Sequence, residues 1–242
     1  MTRAVVFAYH DVGVRCLRVL LGQGMAVPLV VTHQDAPDEQ IWFDSVARHA
    51  RWHGLEVITP ADPNAPEVLE QVRAARPDFL FSFYYRHMLG APLLAAAARG
   101  AFNMHGSLLP RYRGRSPVNW AVLHGERETG ATLHAMTVKA DAGDIVDAQA
   151  VPILPDDTAA EVMAKVCVAA EIALDRALPG LVAGSALLRP QNPALGSYFG
   201  RRTRADGALR LLEFALDGKV RDATAFQARF GEAPLALSNG RQ

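Results

Sequence analysis

From Ala4 to Met104, short apolar runs alternate with segments of helical period, and no other feature of the sequence narrows its possible folds as far. Residues 4–9, 27–31, 56–58, 79–83 and 101–104 have the length and composition of buried strands. Between the first two, Val14, Leu17, Leu20 and Leu21 recur at helical spacing until Gly22 and Gly24. Residues 41–53 read as a helix with Asp44 and Ser45 near its start, 67–75 as a helix ending before Pro77, and 92–98 as another. Strands joined to helices by links this short pack as a mainly parallel sheet, through right-handed crossovers that place helices on both faces. The expected fold class is α/β.

The second half is less regular. Residues 108–117 break into a loop rich in Pro, Arg and Gly, 132–138 alternate like a half-exposed strand, and 145–153 read as another strand. Thr158 is a candidate N-cap with Glu161 at capping-box spacing, and Val162, Val166, Ala169, Ile172 and Leu178 follow on one helical face. Regularity fades beyond Pro179. Residues 188–203 read as a linker or surface loop, 209–216 as a short helix and 234–242 as a frayed tail. The division expected is a main domain over 1–190 and, over 191–242, a linker with a short C-terminal appendage.

Composition removes several classes. The chain has 242 residues with 25 basic and 25 acidic side chains, so no net field draws it to nucleic acid or to an anionic membrane. Cys16 and Cys167 stand alone in apolar helical runs and read as buried reduced thiols. The apolar run after Met1-Thr2-Arg3 is too short for a signal sequence, and no later stretch is long enough to insert in a membrane, so a cytoplasmic protein is expected. After the first strand, Tyr9-His10-Asp11-Val12-Gly13 lacks the glycine spacing of a dinucleotide fingerprint, and no Walker-type loop occurs. The eight histidines form no pair at metal-ligand spacing with suitable partners, so no metal is expected.

The chemistry concentrates in Phe102-Asn103-Met104-His105-Gly106-Ser107-Leu108-Leu109-Pro110. Asn103 and His105 are two apart at the end of a strand, so their side chains share a face. Ligands of parallel sheets bind beyond the carboxyl ends of strands. A carboxamide can donate to a developing oxyanion while a neighbouring imidazole moves protons, and Gly106 lets the chain turn closely past. The turn Asp141-Ala142-Gly143-Asp144-Ile145 offers a carboxylate that would orient the imidazole and raise its pKa. On physical grounds either Asp141 or Asp144 could serve, and an Asp before a Gly also has a purely structural use in turns.

These segments, with Tyr112-Arg113-Gly114-Arg115-Ser116-Pro117, resemble the folate-dependent formyltransferases, which include the methionyl-tRNA, glycinamide ribonucleotide and amino-sugar enzymes. Further segments extend the likeness to the subfamily that formylates UDP-4-amino-4-deoxy-L-arabinose, the formyltransferase half of the bifunctional polymyxin-resistance protein. They are Val5-Val6-Phe7-Ala8-Tyr9-His10-Asp11, Ser45-Val46-Ala47-Arg48, Phe81-Ser82-Phe83-Tyr84-Tyr85-Arg86-His87 and Phe199-Gly200-Arg201-Arg202-Thr203.

The resemblance implies a Rossmann-like formyltransferase fold, with 1–190 as the catalytic domain. It implies a catalytic triad of Asn103, His105 and Asp141, in which Asn103 steadies the oxyanion, His105 transfers protons and Asp141 raises the pKa of His105. 10-Formyltetrahydrofolate would bind at His87, Met88, Leu89 and Arg115 and along Thr137, Val138, Lys139 and Ala140 into Asp141. Tyr9, Arg201 and Arg202 would hold a small nucleotide-sugar substrate.

After Asp206 the likeness ends. The small β-rich barrel that the family usually carries next is expected to be absent or truncated. Competing acceptors are hydroxyornithine, which needs no uridine-diphosphate site, and methionyl-tRNA, which would call for a basic surface. A non-catalytic folate- or nucleotide-binding remnant is the competing reading from another class.

Overall fold

The computed structural model describes residues 1–35, 41–203 and 206. Nine strands and six α-helices follow one another among them. The first half runs β1 (Arg3–Ala8), α1 (His10–Gly22), β2 (Ala26–Val31), α2 (Val46–Trp52), β3 (Val57–Ile58), α3 (Pro66–Ala74), β4 (Phe79–Phe83), α4 (Ala91–Leu94) and β5 (Ala101–His105). The second runs β6 (Arg113–Gly114), α5 (Pro117–Leu123), β7 (Glu128–Ala135), β8 (Ile145–Pro152), α6 (Ala159–Ala183) and β9 (Tyr198–Phe199).

Seven strands form one sheet in the order β3-β2-β1-β4-β5-β7-β8. The five from β3 to β5 are parallel, whereas β7 runs antiparallel to β5 and β8 antiparallel to β7. Strand order reverses between β1 and β4, which opens a crevice beyond their carboxyl ends. The mainly parallel sheet with helices on both faces is therefore as the alternation predicts.

The apolar runs are continuous because both faces are covered. Val6, Phe81, Phe102 and Met104 pack with Leu17 of α1, Val122 of α5 and Leu174 of α6 on one face. Val5, Phe7, Leu29 and Leu80 pack with Val68 and Val72 of α3 and Leu93 of α4 on the other.

Besides α4, which runs from Ala91 only to Leu94 and not to 98, four local expectations need correction. The second helix begins at Val46, not 41, because Ser45 is its N-cap and accepts from the Arg48 amide. Strand β7 starts earlier and ends earlier than 132–138, since Met136 turns off the sheet to pack against the α3–α4 core. Helix α6 continues past Pro179 to Ala183 and stops at Gly184 with φ +72. Its last carbonyls are met by Arg99, which donates to Leu181 and Val182 at 2.7 and 2.8 Å.

The fourth correction matters most for function. Residues 191–203 are not a free linker: Tyr198 and Phe199 pair with Arg113 and Gly114, and the Phe199 ring stacks between Tyr112 and Trp120 at 5.1 Å from each. The helix expected at 209–216 and the tail at 234–242 lie outside the described residues.

Candidate active site

The β5–β7 ladder builds the site. Asn103 pairs directly across from His134, and His105 across from Thr132. Neighbours on one rung project to the same face, so the antiparallel partner brings a second imidazole to the Asn-x-His segment. Thr132 then fixes the chain that leaves β5: its hydroxyl donates to the Ser107 carbonyl at 2.6 Å and accepts from the Leu109 amide at 3.2 Å. Gly106 passes so near Tyr84 that a Cβ there would meet the phenol oxygen at 1.9 Å. This is the close turn that the sequence assigns to that glycine.

Proton positions follow from the partners. A carbonyl only accepts, so His105 carries a hydrogen on Nε2, 2.7 Å from the Tyr112 oxygen, and His134 on Nδ1, 2.9 Å from the Ala135 oxygen. With that tautomer His134 Nε2 is an acceptor and takes an N–H from Asn103 Nδ2 at 3.1 Å. That contact sets which way the carboxamide points and leaves the nitrogen's second hydrogen for another partner.

Asp141 reaches this rung from a loop that folds back over the sheet, anchored where Ala135 donates to Asp144 and Met136 to Ala101. Gly143 allows the fold-back, since a Cβ there would lie 1.9 Å from the Ala135 oxygen. Of the two turn carboxylates, it is Asp141 that faces the imidazoles. Its Oδ1 lies 3.5 Å from His105 Nδ1 and 3.7 Å from His134 Nε2, and its Oδ2 accepts from the Gly114 amide at 2.8 Å.

Burial is the largest influence on His105 and lowers its pKa. The Asp141 carboxylate and the Tyr112 carbonyl push upward without cancelling it, while His134 and Arg113 add to the lowering. The expected rise therefore gives way to a net fall, although Asp141 acts in the expected sense. Burial also opposes ionisation of Asp141, but His105, the His134 contact and the Gly114 amide outweigh it and hold that carboxyl at about 2. At neutral pH an ionised Asp141 thus lies beside a neutral His105 whose Nδ1 lone pair faces it. Such a nitrogen is poised to take up a proton and share it with the carboxylate.

The other expected residues fall into distinct settings. His87 is exposed, Met88 is 56% exposed, and the Leu89 side chain is buried in the core beside α4, so only Met88 of that apolar pair is open. Thr137, Val138 and Lys139 are exposed, and among the described residues their amides and that of Ala140 donate to no protein acceptor. Arg115 points to solvent while its amide donates to Phe199, Arg201 is exposed, and Arg202 is half-buried.

Tyr9 is closed off. Its hydroxyl donates to Asp35 at 2.6 Å and its ring lies against His33, Phe43 and the Arg86 guanidinium. An acceptor contact through an open Tyr9 side chain does not match this burial. Among the described residues no group of His, Cys, Asp and Glu is arranged to hold a metal ion, and no helix is long and apolar enough to cross a membrane.

An imidazole beside an oriented amide donor, at the carboxyl end of a parallel strand, is an arrangement suited to acyl transfer. The formyl transferase family profile matches residues 23–178, and the chain belongs to that family.

Solved structures share the fold. An N-formyltransferase from Helicobacter canadensis, determined with folinic acid and dTDP-3-aminofucose, superposes with TM-score 0.68 at 22% identity, over 83% of this chain and 71% of its own. Glycinamide ribonucleotide transformylase 1 from Symbiobacterium toebii gives 0.66 at 22%, over 79% and 95%. A formyltetrahydrofolate deformylase from Pseudomonas syringae pv. tomato gives 0.66 at 23%, over 79% and 66%.

His134 is the site residue that sequence reasoning missed. If its role is to aim the Asn103 amide, His134→Leu, of similar size but without an acceptor, lowers kcat by about tenfold, the worth of one well-placed hydrogen bond. The KM for the formyl donor stays within about twofold, because the change falls on the reacting atoms. Steady-state kinetics check this, and a loss confined to KM would remove the role.

Proposed function

We propose that this enzyme transfers the formyl group of 10-formyltetrahydrofolate to the 4-amino group of UDP-4-amino-4-deoxy-L-arabinose, in the cytoplasm, on the route to lipid A modification and polymyxin resistance. The observation that carries the chemistry is the cluster of Asn103, His105 and His134 on the β5–β7 ladder with Asp141 folded over it, in a member of the formyl transferase family. Three supports bear on the acceptor. The sequence likeness extends beyond the triad, through 8–11, 82–87 and 199–203. The Helicobacter protein of the same fold was solved with a nucleotide-linked amino sugar. Net charge is zero, which suits a small ligand better than tRNA.

The donor site would draw on residues that the family resemblance assigns to the folate and that are open to solvent. Met88 and Val138, 56% and 74% exposed, are large apolar side chains that a flat pteridine would cover, and the unpaired amides of Thr137 to Ala140 suit its polar edge. The folate supplies the formyl carbon and a nitrogen that leaves once protonated. The sugar amine attacks as its free base, its ammonium proton having gone to solvent, and His105 Nδ1 takes a second proton from that nitrogen as it bonds to the formyl carbon. The second N–H of Asn103 donates to the formyl oxygen as that oxygen gains charge. Asp141 stabilises the imidazolium, and His105 then returns the proton to the departing folate nitrogen as the carbon–nitrogen bond breaks. Arg201 or Arg202 would grip the diphosphate, the task a planar guanidinium does best.

Specificity constants measured side by side for UDP-4-amino-4-deoxy-L-arabinose, hydroxyornithine and methionyl-tRNA test the reading. The sugar nucleotide is expected to lead. The Arg201→Ala/Arg202→Ala double variant is expected to raise its KM by about tenfold, in line with loss of a charge-assisted contact. A rival acceptor in front would overturn the sugar assignment, and no transfer to any acceptor would overturn the reaction.

A further inference from the structure

After α6 the chain turns back across the catalytic loop, and Gln191 is where it makes contact. The side-chain nitrogen donates to the Asp141 carbonyl at 3.0 Å and to the Gly143 carbonyl at 2.6 Å. The side-chain oxygen accepts from Arg113 Nη2 at 2.6 Å and Nε at 3.3 Å. Carbonyls only accept and a guanidinium only donates, so the carboxamide has one possible orientation and every one of these contacts depends on it.

The residue it grips needs gripping. Asp141 sits at φ +51, in the left-handed region, where a residue with a side chain costs on the order of 1 kcal/mol and persists only if its surroundings hold it. Its carboxylate is held by the Gly114 amide, and its backbone by Gln191. Both anchors belong to one unit, since Arg113 and Gly114 pair with Tyr198 and Phe199 of the same returning segment. Neither local sequence nor the active-site rung explains a glutamine at this position; the loop geometry does.

We infer that Gln191 is a positioning residue, whose carboxamide holds the Asp141 loop so that the carboxylate stays against His105. For its effect on turnover this rests on the formyl-transfer reading above; for its effect on His105 it does not. The groups facing His105 are Asp141, His134, Arg113 and the Tyr112 carbonyl. Of these, Asp141 is the one tied to Gln191 through its own backbone.

The test uses the full chain with isotope-labelled histidine. The His105 imidazole is titrated by NMR in the wild type, in Gln191→Met, which removes both hydrogen-bonding ends at similar volume, and in Gln191→Asn, which keeps the amide one methylene short. With the Asp141 charge displaced, the His105 midpoint is expected to move to lower pH in both. In kinetics kcat is expected to fall about tenfold or more, as slight misplacement of a catalytic group does, with the pH profile displaced in the same direction. Thermal unfolding identifies folded variants, and Gln191→Asn is read alone if Gln191→Met does not fold. A folded variant with an unmoved His105 midpoint would overturn the inference. A wild type that transfers no formyl group would instead overturn the functional reading, while the titration still decides the role of Gln191.

Discussion

Alanine at His105 is expected to lower kcat for formyl transfer by about a thousandfold, the middle of the range for removing a positioned acid–base group. Alanine at Asn103 should lower it by a hundred- to a thousandfold, as loss of an oxyanion donor does, roughly 3–4 kcal/mol of barrier. On the proposed mechanism both groups act on the transition state, so folate affinity, read by equilibrium titration, should change little in either. The two losses should also combine to less than their product, since the donor and the base serve one event on adjacent alternate positions of β5. Large losses of folate binding in both variants would mean that the residues shape the pocket and do not take part in the chemistry.

Asn at position 141 is the second large effect. It is nearly isosteric, can still accept from the Gly114 amide, and suits a left-handed backbone at least as well as Asp. What it removes is charge. The Asp141 carboxylate raises the His105 pKa against the lowering by burial, so its loss moves the His105 inflection to lower pH. kcat should drop about a hundredfold, because the imidazolium formed in the reaction loses its counter-charge.

Stability carries an independent signature. The Asp141 carboxyl is held at about 2 in the folded chain against an ordinary 3.8, so it contributes stability that is fully present above the ordinary value. That contribution, on the order of 2 kcal/mol, is lost as pH falls through the folded value. Denaturant unfolding from neutral to acid pH should therefore show the wild type losing stability that Asp141→Asn does not. Parallel curves for the two proteins would mean that the carboxylate has the same surroundings folded and unfolded.

Legibility in the sequence followed the range of the interactions. The strands from β1 to β5 declare themselves because burial on both faces demands unbroken apolar runs, and Thr158 with Glu161 announces α6 by a local capping box that the structure contains. Asn103 and His105 were legible for the same reason, since a spacing of two on a strand is a statement about faces. On physical grounds alone Asp141 was one of two carboxylates, singled out by the family resemblance, because the choice depends on how the loop folds back over Ala135.

His134 and Gln191 were not legible at all. The first acquires its meaning from the register of β7 against β5, the second from a contact that spans 50 residues of chain. β6 and β9, two residues each, have no periodicity to detect and exist only as a pair. Helix α5 starts on Pro117 and is too short to show a period against the irregular loop before it.

The rung that pairs Asn103 with His134 also bears on which length changes this protein can survive. Side chains alternate along a strand, so inserting or deleting a single residue within Phe102 to His105, or between Leu133 and His134, turns the following side chains to the opposite face. No substitution elsewhere restores that parity. Residues 87–88 and 137–139 lie outside the ladder and are open to solvent, so they can lengthen or shorten without turning any side chain of β5 or β7 over. Natural or laboratory variants should therefore keep the spacing from Asn103 to His105 unchanged, whatever length they have at those two places.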